Sequence, residues 1–185
     1  MRSLKRGFTL IELIVGIVLL AALTAIFGLL INQAPQAVDP VQQVRAAQLA
    51  QRLSSEILQK SFDEQSDHNG GRYRCGEQVA GVVIPACSSR YGPNGEPSPY
   101  AFNDVDDFDT AGNWRDANHF TQTSTGSSGE EYRNYQVKIT VTAADFSDGT
   151  FKSCSAPCSV GKRIDLQVKL PDQSVLDFSF YRGNY

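Results

Sequence analysis

Arg2-Ser3-Leu4-Lys5-Arg6-Gly7-Phe8-Thr9-Leu10-Ile11-Glu12-Leu13 leads into an apolar run that continues to Ile31. No charged residue occurs from Leu13 to Ile31, a length just sufficient to span a bilayer as a helix. The cations Arg2, Lys5 and Arg6 flank one side of that run only. By the positive-inside rule they keep the amino terminus in the cytoplasm and place the bulk of the chain outside it. Glu12 is the anomaly. A carboxylate within a membrane segment costs roughly 2.5–3.5 kcal/mol on insertion scales, so it signals a function. A cut after Gly7 would make Phe8 a free amino terminus. The four-residue step from Phe8 to Glu12 then puts amine and carboxylate on one helix face.

Gly7-Phe8-Thr9-Leu10-Ile11-Glu12 followed by a long apolar helix resembles the class III signal of type IV pilins and type II secretion pseudopilins. The resemblance implies that a prepilin peptidase cleaves between Gly7 and Phe8 and methylates the new Phe8 amine. It implies a single-pass subunit of a bacterial inner membrane with a periplasmic head. That subunit sits in the lipid bilayer, engages an inner-membrane assembly platform, and then joins other pilin subunits in a cell-surface pilus. Glu12 would neutralise the Phe8 amine of a neighbouring subunit. An ordinary secretory signal would need a small-residue cut after the apolar run, at Ala21-Ala22 or Ala25, and leaves the pattern from Phe8 to Glu12 unexplained.

Further along, Gly70-Gly71, Arg74-Cys75-Gly76 and Phe102-Asn103-Asp104-Val105-Asp106-Asp107-Phe108 are similar to minor prepilins of the mannose-sensitive haemagglutinin (MSHA) pilus, MshD type. The expectation is a minor structural subunit, incorporated into the fibre or initiating it. Two other roles stand beside it. One is a type II secretion pseudopilin. The other is a membrane-tethered module whose large loop binds a surface sugar or protein.

The 185 residues suit one globular domain plus an anchor. Net charge is −3, from 17 basic and 20 acidic residues; loss of Arg2, Lys5 and Arg6 with the leader brings it to about −6. Such a chain is a poor match to nucleic acid, whose binding relies on basic patches. Cys75, Cys87, Cys154 and Cys158 all fall in the exported part, where an even count reads as two disulfides. Of three possible pairings, Cys75–Cys87 with Cys154–Cys158 is favoured, because each pair brackets a loop rich in Gly, Ser and Pro. Zinc would need four converging thiolates, and no C-x-x-C knuckle is present.

Beyond the leader (1–7) and the apolar helix (8–33), the chain divides into an amphipathic helix (41–62), a loop-rich region (63–131) and a sheet (132–185). Val41, Val44, Leu49, Leu53, Ile57, Leu58 and Phe62 recur at helical steps and mark one packing stripe. Pro35 and Pro40 predict a kink or break between Ala34 and Val41. Val79 to Ile84 is a short β-prone run. Alternation over Tyr135–Thr142, Ile164–Leu170 and Leu176–Tyr181 predicts three strands, with a tight turn at Pro171-Asp172-Gln173-Ser174. The predicted fold class is α+β: a long amino-terminal helix packed on a carboxyl-terminal antiparallel meander, the architecture that the pilin resemblance also implies.

Catalytic motifs are missing from the sequence. Gly126-Ser127-Ser128-Gly129 has the wrong spacing for a nucleophile elbow, and no phosphate loop, dinucleotide fingerprint or H-E-x-x-H occurs. His68 and His119 read as exposed loop residues. No enzyme is expected. Asp104, Asp106, Asp107 and Asp109 read as a solvated acidic loop whose side chains cap turns. A calcium loop is the alternative, since a hard cation takes six to eight oxygens. An EF-hand does not fit, because Ala111 and Asn118 fall at ligand positions counted from Asp107.

Overall fold

The computed structural model describes residues 9–67, 73–121 and 131–185, and of 29–39 the backbone alone. His68 and the Gly126–Gly129 stretch lie outside the described residues. The chain divides into two compact units, Met1–Gln42 and Gln43–Tyr185.

Helix α1 runs from Leu10 to Gln59. The backbone is helical through Pro35 and Pro40, so the expected break between Ala34 and Val41 is not found. A proline removes one donor and crowds the preceding turn, but the bonds on either side sustain the helix.

In the second unit α1 buries Ala46, Leu49, Ala50, Leu53 and Ile57. Those steps of three and four form one stripe, and its two alanines let the backbone approach the sheet. Val41, Val44 and Leu58 were expected on it but are 58%, 58% and 37% exposed. The stripe begins at Ala46, after the two valines, and Leu58 stands one residue, about 100° of helix, away from Ile57.

The sheet is antiparallel with five strands: β1 (Arg115–Asp116), β2 (Gln136–Asp145), β3 (Lys152–Ser153), β4 (Gly161–Lys169) and β5 (Val175–Gly183). Its order is β1-β2-β4-β5, with β3 pairing the far end of β2. The β2-β4-β5 meander is the one the alternation predicted. Register is continuous, from Gln136 opposite Lys169 to Ala144 opposite Gly161, and from Gly161 opposite Gly183 to Lys169 opposite Val175. Gly161 is required at the start of β4, because any Cβ there would overlap the Phe146 ring. The β4–β5 turn closes with Leu170 N–H donating to Ser174 O and with the Asp172 carboxylate accepting from Ser174 N–H and Oγ.

Inward-facing Val137, Ile139, Val141, Ile164, Leu166, Val168 and Leu170 meet the helix stripe in one core, against which Leu176, Phe178 and Phe180 are partly buried. The loop-rich region contributes to the same core through Phe102, Val105, Phe108 and Phe120. It holds two short 3₁₀ turns, Pro99–Ala101 and Asp106–Phe108, and the helix α2 (Ala117–Phe120). His119 therefore sits on a helix and is partly covered, not in an open loop; burial, and then the Arg115 charge, lower its pKa. Val79–Ile84 forms no strand, only a single bridge from Val79 to Val82, with Val83 99% exposed. A β-prone run with no neighbour to pair with stays irregular.

Two disulfides close local loops, Cys75–Cys87 and Cys154–Cys158. The first is buried beside Phe62, and the second lies between β3 and β4.

Candidate functional site

The acidic segment is not solvated. Asp104, Asp106 and Asp107 are 0%, 0% and 1% exposed. Two of them cap each other's backbone. Asp104 Oδ1 accepts from the amides of Asp106 (2.6 Å) and Asp107 (3.1 Å), while Asp107 Oδ2 accepts from those of Asn103 (2.9 Å) and Asp104 (3.3 Å). Asp109, partly exposed, accepts from Ala111 N–H and from Val141 N–H of β2. Backbone donors thus take the place that water would hold around a surface loop.

The third buried acid, Asp106, faces a cation. Lys162 of β4 is 1% exposed, and its Nζ lies 2.7 Å from Asp106 Oδ1 and 2.9 Å from Asp63 Oδ2. The same ammonium donates to Phe62 O at 2.6 Å and stands 4.4 Å and 5.4 Å from the Phe62 and Tyr91 ring centroids. Asp63 just beyond the end of α1, Asp106 in a 3₁₀ turn and Lys162 in the sheet therefore meet at one buried point.

Their titration differs. Burial pushes the Asp106 carboxyl up to about 8, against the opposing charge of Lys162. Burial, and then the Asp107 charge, bring Asp104 to about 7. Asp63 is also buried, but the charge and hydrogen bond of Lys162, with bonds from Gln65 and Ser88, outweigh the burial and hold its carboxyl below the usual range.

In the acidic segment Asp104 Oδ2, Asp106 Oδ2 and Asp107 Oδ1 are buried and accept no hydrogen bond, while the other oxygens of Asp104 and Asp107 are held by backbone amides. Among the described residues, three potential metal-ligand atoms converge at Asp63, Cys75 and Cys87, and there the two sulfurs are bonded to each other. The sequence reading missed Lys162. Its signal was the parity of β4: one step of two back from Ile164, on the buried side of the alternation.

The amino-terminal unit is of another kind. Leu10–Gly28 is long and apolar enough to cross a membrane, and none of it is buried. Leu10, Ile11, Val18, Leu20 and Phe27 are each more than 60% exposed. A helix apolar on every side is stable only among lipid tails or other apolar helices. Thr24, its polar interruption, satisfies its hydroxyl on Leu20 O and Ala21 O. Glu12 stands in the first turn, exposed, with its amide bonded to Thr9 O. Gly7 and Phe8 lie outside the described residues.

Residues 2–28 match the family model of the prokaryotic N-terminal methylation motif. The methylation motif indicates a prepilin-type amino terminus of the pilin and pseudopilin kind, and it overlaps the helix that is long and apolar enough to cross a membrane, which together point to membrane anchoring. It implies processing by prepilin peptidase and assembly with other pilin subunits. No characterised protein and no solved structure matches the chain.

Proposed function

We propose that this chain is a minor prepilin, a structural subunit of a type IV pilus of the MSHA kind. The observation that carries the reading is the methylation motif over residues 2–28 together with Glu12 on the first turn of a helix exposed on all its apolar sides. Cleavage after Gly7 exposes the Phe8 amine, which is methylated. The helix then leaves lipid for a bundle of identical or related helices, where Glu12 meets the amine of an adjacent subunit. That pairing offsets the burial of two charges and sets the axial stagger, and loss of either partner strands the other. The chain inserts in the bacterial inner membrane with the head in the periplasm, engages the assembly platform, and enters the fibre at its start or at intervals.

The test compares intact mass and amino-terminal peptides of the membrane-extracted protein from cells with and without prepilin peptidase. Peptidase-dependent loss of Met1–Gly7 and one methyl on Phe8 is the expected result. A cut beyond Ala22, or Met1 retained in both samples, would overturn it. In the same cells Glu12→Ala should insert normally yet be missing from sheared filaments. Normal amounts of the variant there would remove the role given to Glu12.

A further inference from the structure

A buried ammonium needs one carboxylate for neutrality, and Lys162 has two within hydrogen-bonding distance. The three side chains are at most 1% exposed, walled by the Phe62 and Tyr91 rings. Asp63 has further support. Its Oδ1 accepts from Gln65 N–H at 3.0 Å, Ser88 N–H at 3.0 Å and Ser88 Oγ at 2.9 Å, and the Ser88 N–H is shared with Oδ2, also at 3.0 Å. Donors gathered mainly on one carboxyl oxygen opposite an amine are the arrangement that stabilises a tetrahedral intermediate of acyl transfer. Asp106, on the other side of the amine, is an acid kept protonated near neutrality by burial.

We propose that Lys162 and Asp63 condense into an isopeptide bond, with Asp106 carrying a proton from the attacking nitrogen to the departing oxygen. Reaction runs through the minor state in which the ammonium has passed a proton across the 2.9 Å contact to Asp63 Oδ2, since Lys162 and the Gln65 and Ser88 bonds otherwise hold that carboxyl ionised; this state is an amine beside a neutral carboxyl. The nitrogen lone pair attacks Cγ of Asp63, and the charge that builds on Oδ1 falls on the amides of Gln65 and Ser88 and on the Ser88 hydroxyl. Asp106 takes a proton from the nitrogen and delivers its own to the hydroxyl at Oδ2. The Cγ–Oδ2 bond breaks, one water leaves, and Asp106 is again a carboxylic acid. One C–N bond forms and one C–O bond is lost, with no oxidant or outside reactant. Fixed contact between the reacting groups supplies the effective concentration. The exchange also removes two opposite buried charges, whose desolvation is otherwise costly.

Mass spectrometry of the full chain, extracted from membranes and reduced, tests this. Trypsin separates the three residues: Asp63 falls in Ser61–Arg72, Asp106 in Tyr91–Arg115, and a blocked Lys162 in Ser153–Arg163. The expected wild-type chain is lighter by one water and yields a branched peptide joining Ser61–Arg72 to Ser153–Arg163. Lys162→Arg, which keeps the charge but not the amine, and Asp106→Asn, which removes the proton carrier, should both return to the full mass. A wild-type chain at full mass with linear peptides would make the cluster an ordinary buried ion pair. A branch to Tyr91–Arg115 would overturn Asp63 as the acyl partner, and a branched Asp106→Asn chain would overturn the proton relay.

Discussion

Thr110 and Ile139 are bound to each other three times: Thr110 N–H donates to Ile139 O at 3.0 Å, Thr110 Oγ1 donates to the same oxygen at 3.0 Å, and Ile139 N–H donates to Thr110 Oγ1 at 3.2 Å. Two residues along, Val141 N–H donates to Asp109 Oδ2 at 2.8 Å. On this side β2 is paired by β1 only at Gln136 and Val137, and by β3 only at Ala144 and Asp145. Asp109 and Thr110 fill the gap, covering backbone groups that an open edge would leave unpaired. Thr110→Val removes the hydroxyl and orphans Ile139 N–H. A loss of about 1–3 kcal/mol is expected, read from the denaturant midpoint of the detergent-solubilised chain. An unchanged midpoint would mean that water replaces the hydroxyl.

The buried acids give the chain a defined pH response. Asp104 is brought to about 7 by burial and Asp107, so the folded chain holds a proton that the unfolded chain gives up at the ordinary carboxyl value. Between roughly pH 4 and pH 7 the unfolded state binds fewer protons at this site, and stability falls as pH rises. Asp63, held below the usual range, acts in the opposite sense, and its contribution is lost as pH falls. Asp104→Asn keeps an oxygen for the amides of Asp106 and Asp107 but has no charge to bury. The variant should exceed wild type in stability at about pH 8, with the difference shrinking towards about pH 5. A pH-independent difference would contradict this assignment of the proton.

Helix burial can be tested by contrast. Leu53 is fully buried, whereas Val44 is 58% exposed. Leu53→Ala should destabilise by about 2–5 kcal/mol, and Val44→Ala by less than about 0.5 kcal/mol. Equal losses would place Val44 in a contact that the head alone does not provide.

The disulfides should differ as well. Cys75–Cys87 closes the longer loop, 12 residues in separation against 4, and is buried next to Phe62. Replacing that pair with serines should cost about 2–4 kcal/mol, more than the Cys154–Cys158 pair does. The comparison needs only unfolding midpoints, and a larger effect at Cys154–Cys158 would reverse the ranking.

The parts of this fold that were legible in sequence are those where one residue type repeats at one period. The runs around Val137–Val141, Ile164–Val168 and Leu176–Phe180 are alternations with one apolar face, and each became a strand. The helix was equally clear, but its stripe was misplaced by two valines, because small Ala46 and Ala50 do the burying without standing out as apolar anchors. The site was less legible for a related reason. Four aspartates in a row of six residues look like a surface, but backbone amides hold Asp104 and Asp107, and a lysine near the far end of the chain meets Asp106. Composition ranks Asp and Lys as exposed types; a long-range pair overrides that ranking and leaves no local trace.

Lys162 and Asp63 are 99 residues apart, so the pair cannot form before β4 has been made. A chain made only as far as β2 already carries Asp63 and Asp106 but lacks the lysine that meets them both. Closure of the core must wait for β4, so the domain is completed only by its last strands. Distant contacts of this kind slow folding in general. Here they also act as a check on completeness, because a chain truncated before Lys162 would have to bury the Asp63 carboxylate without its cation in order to fold.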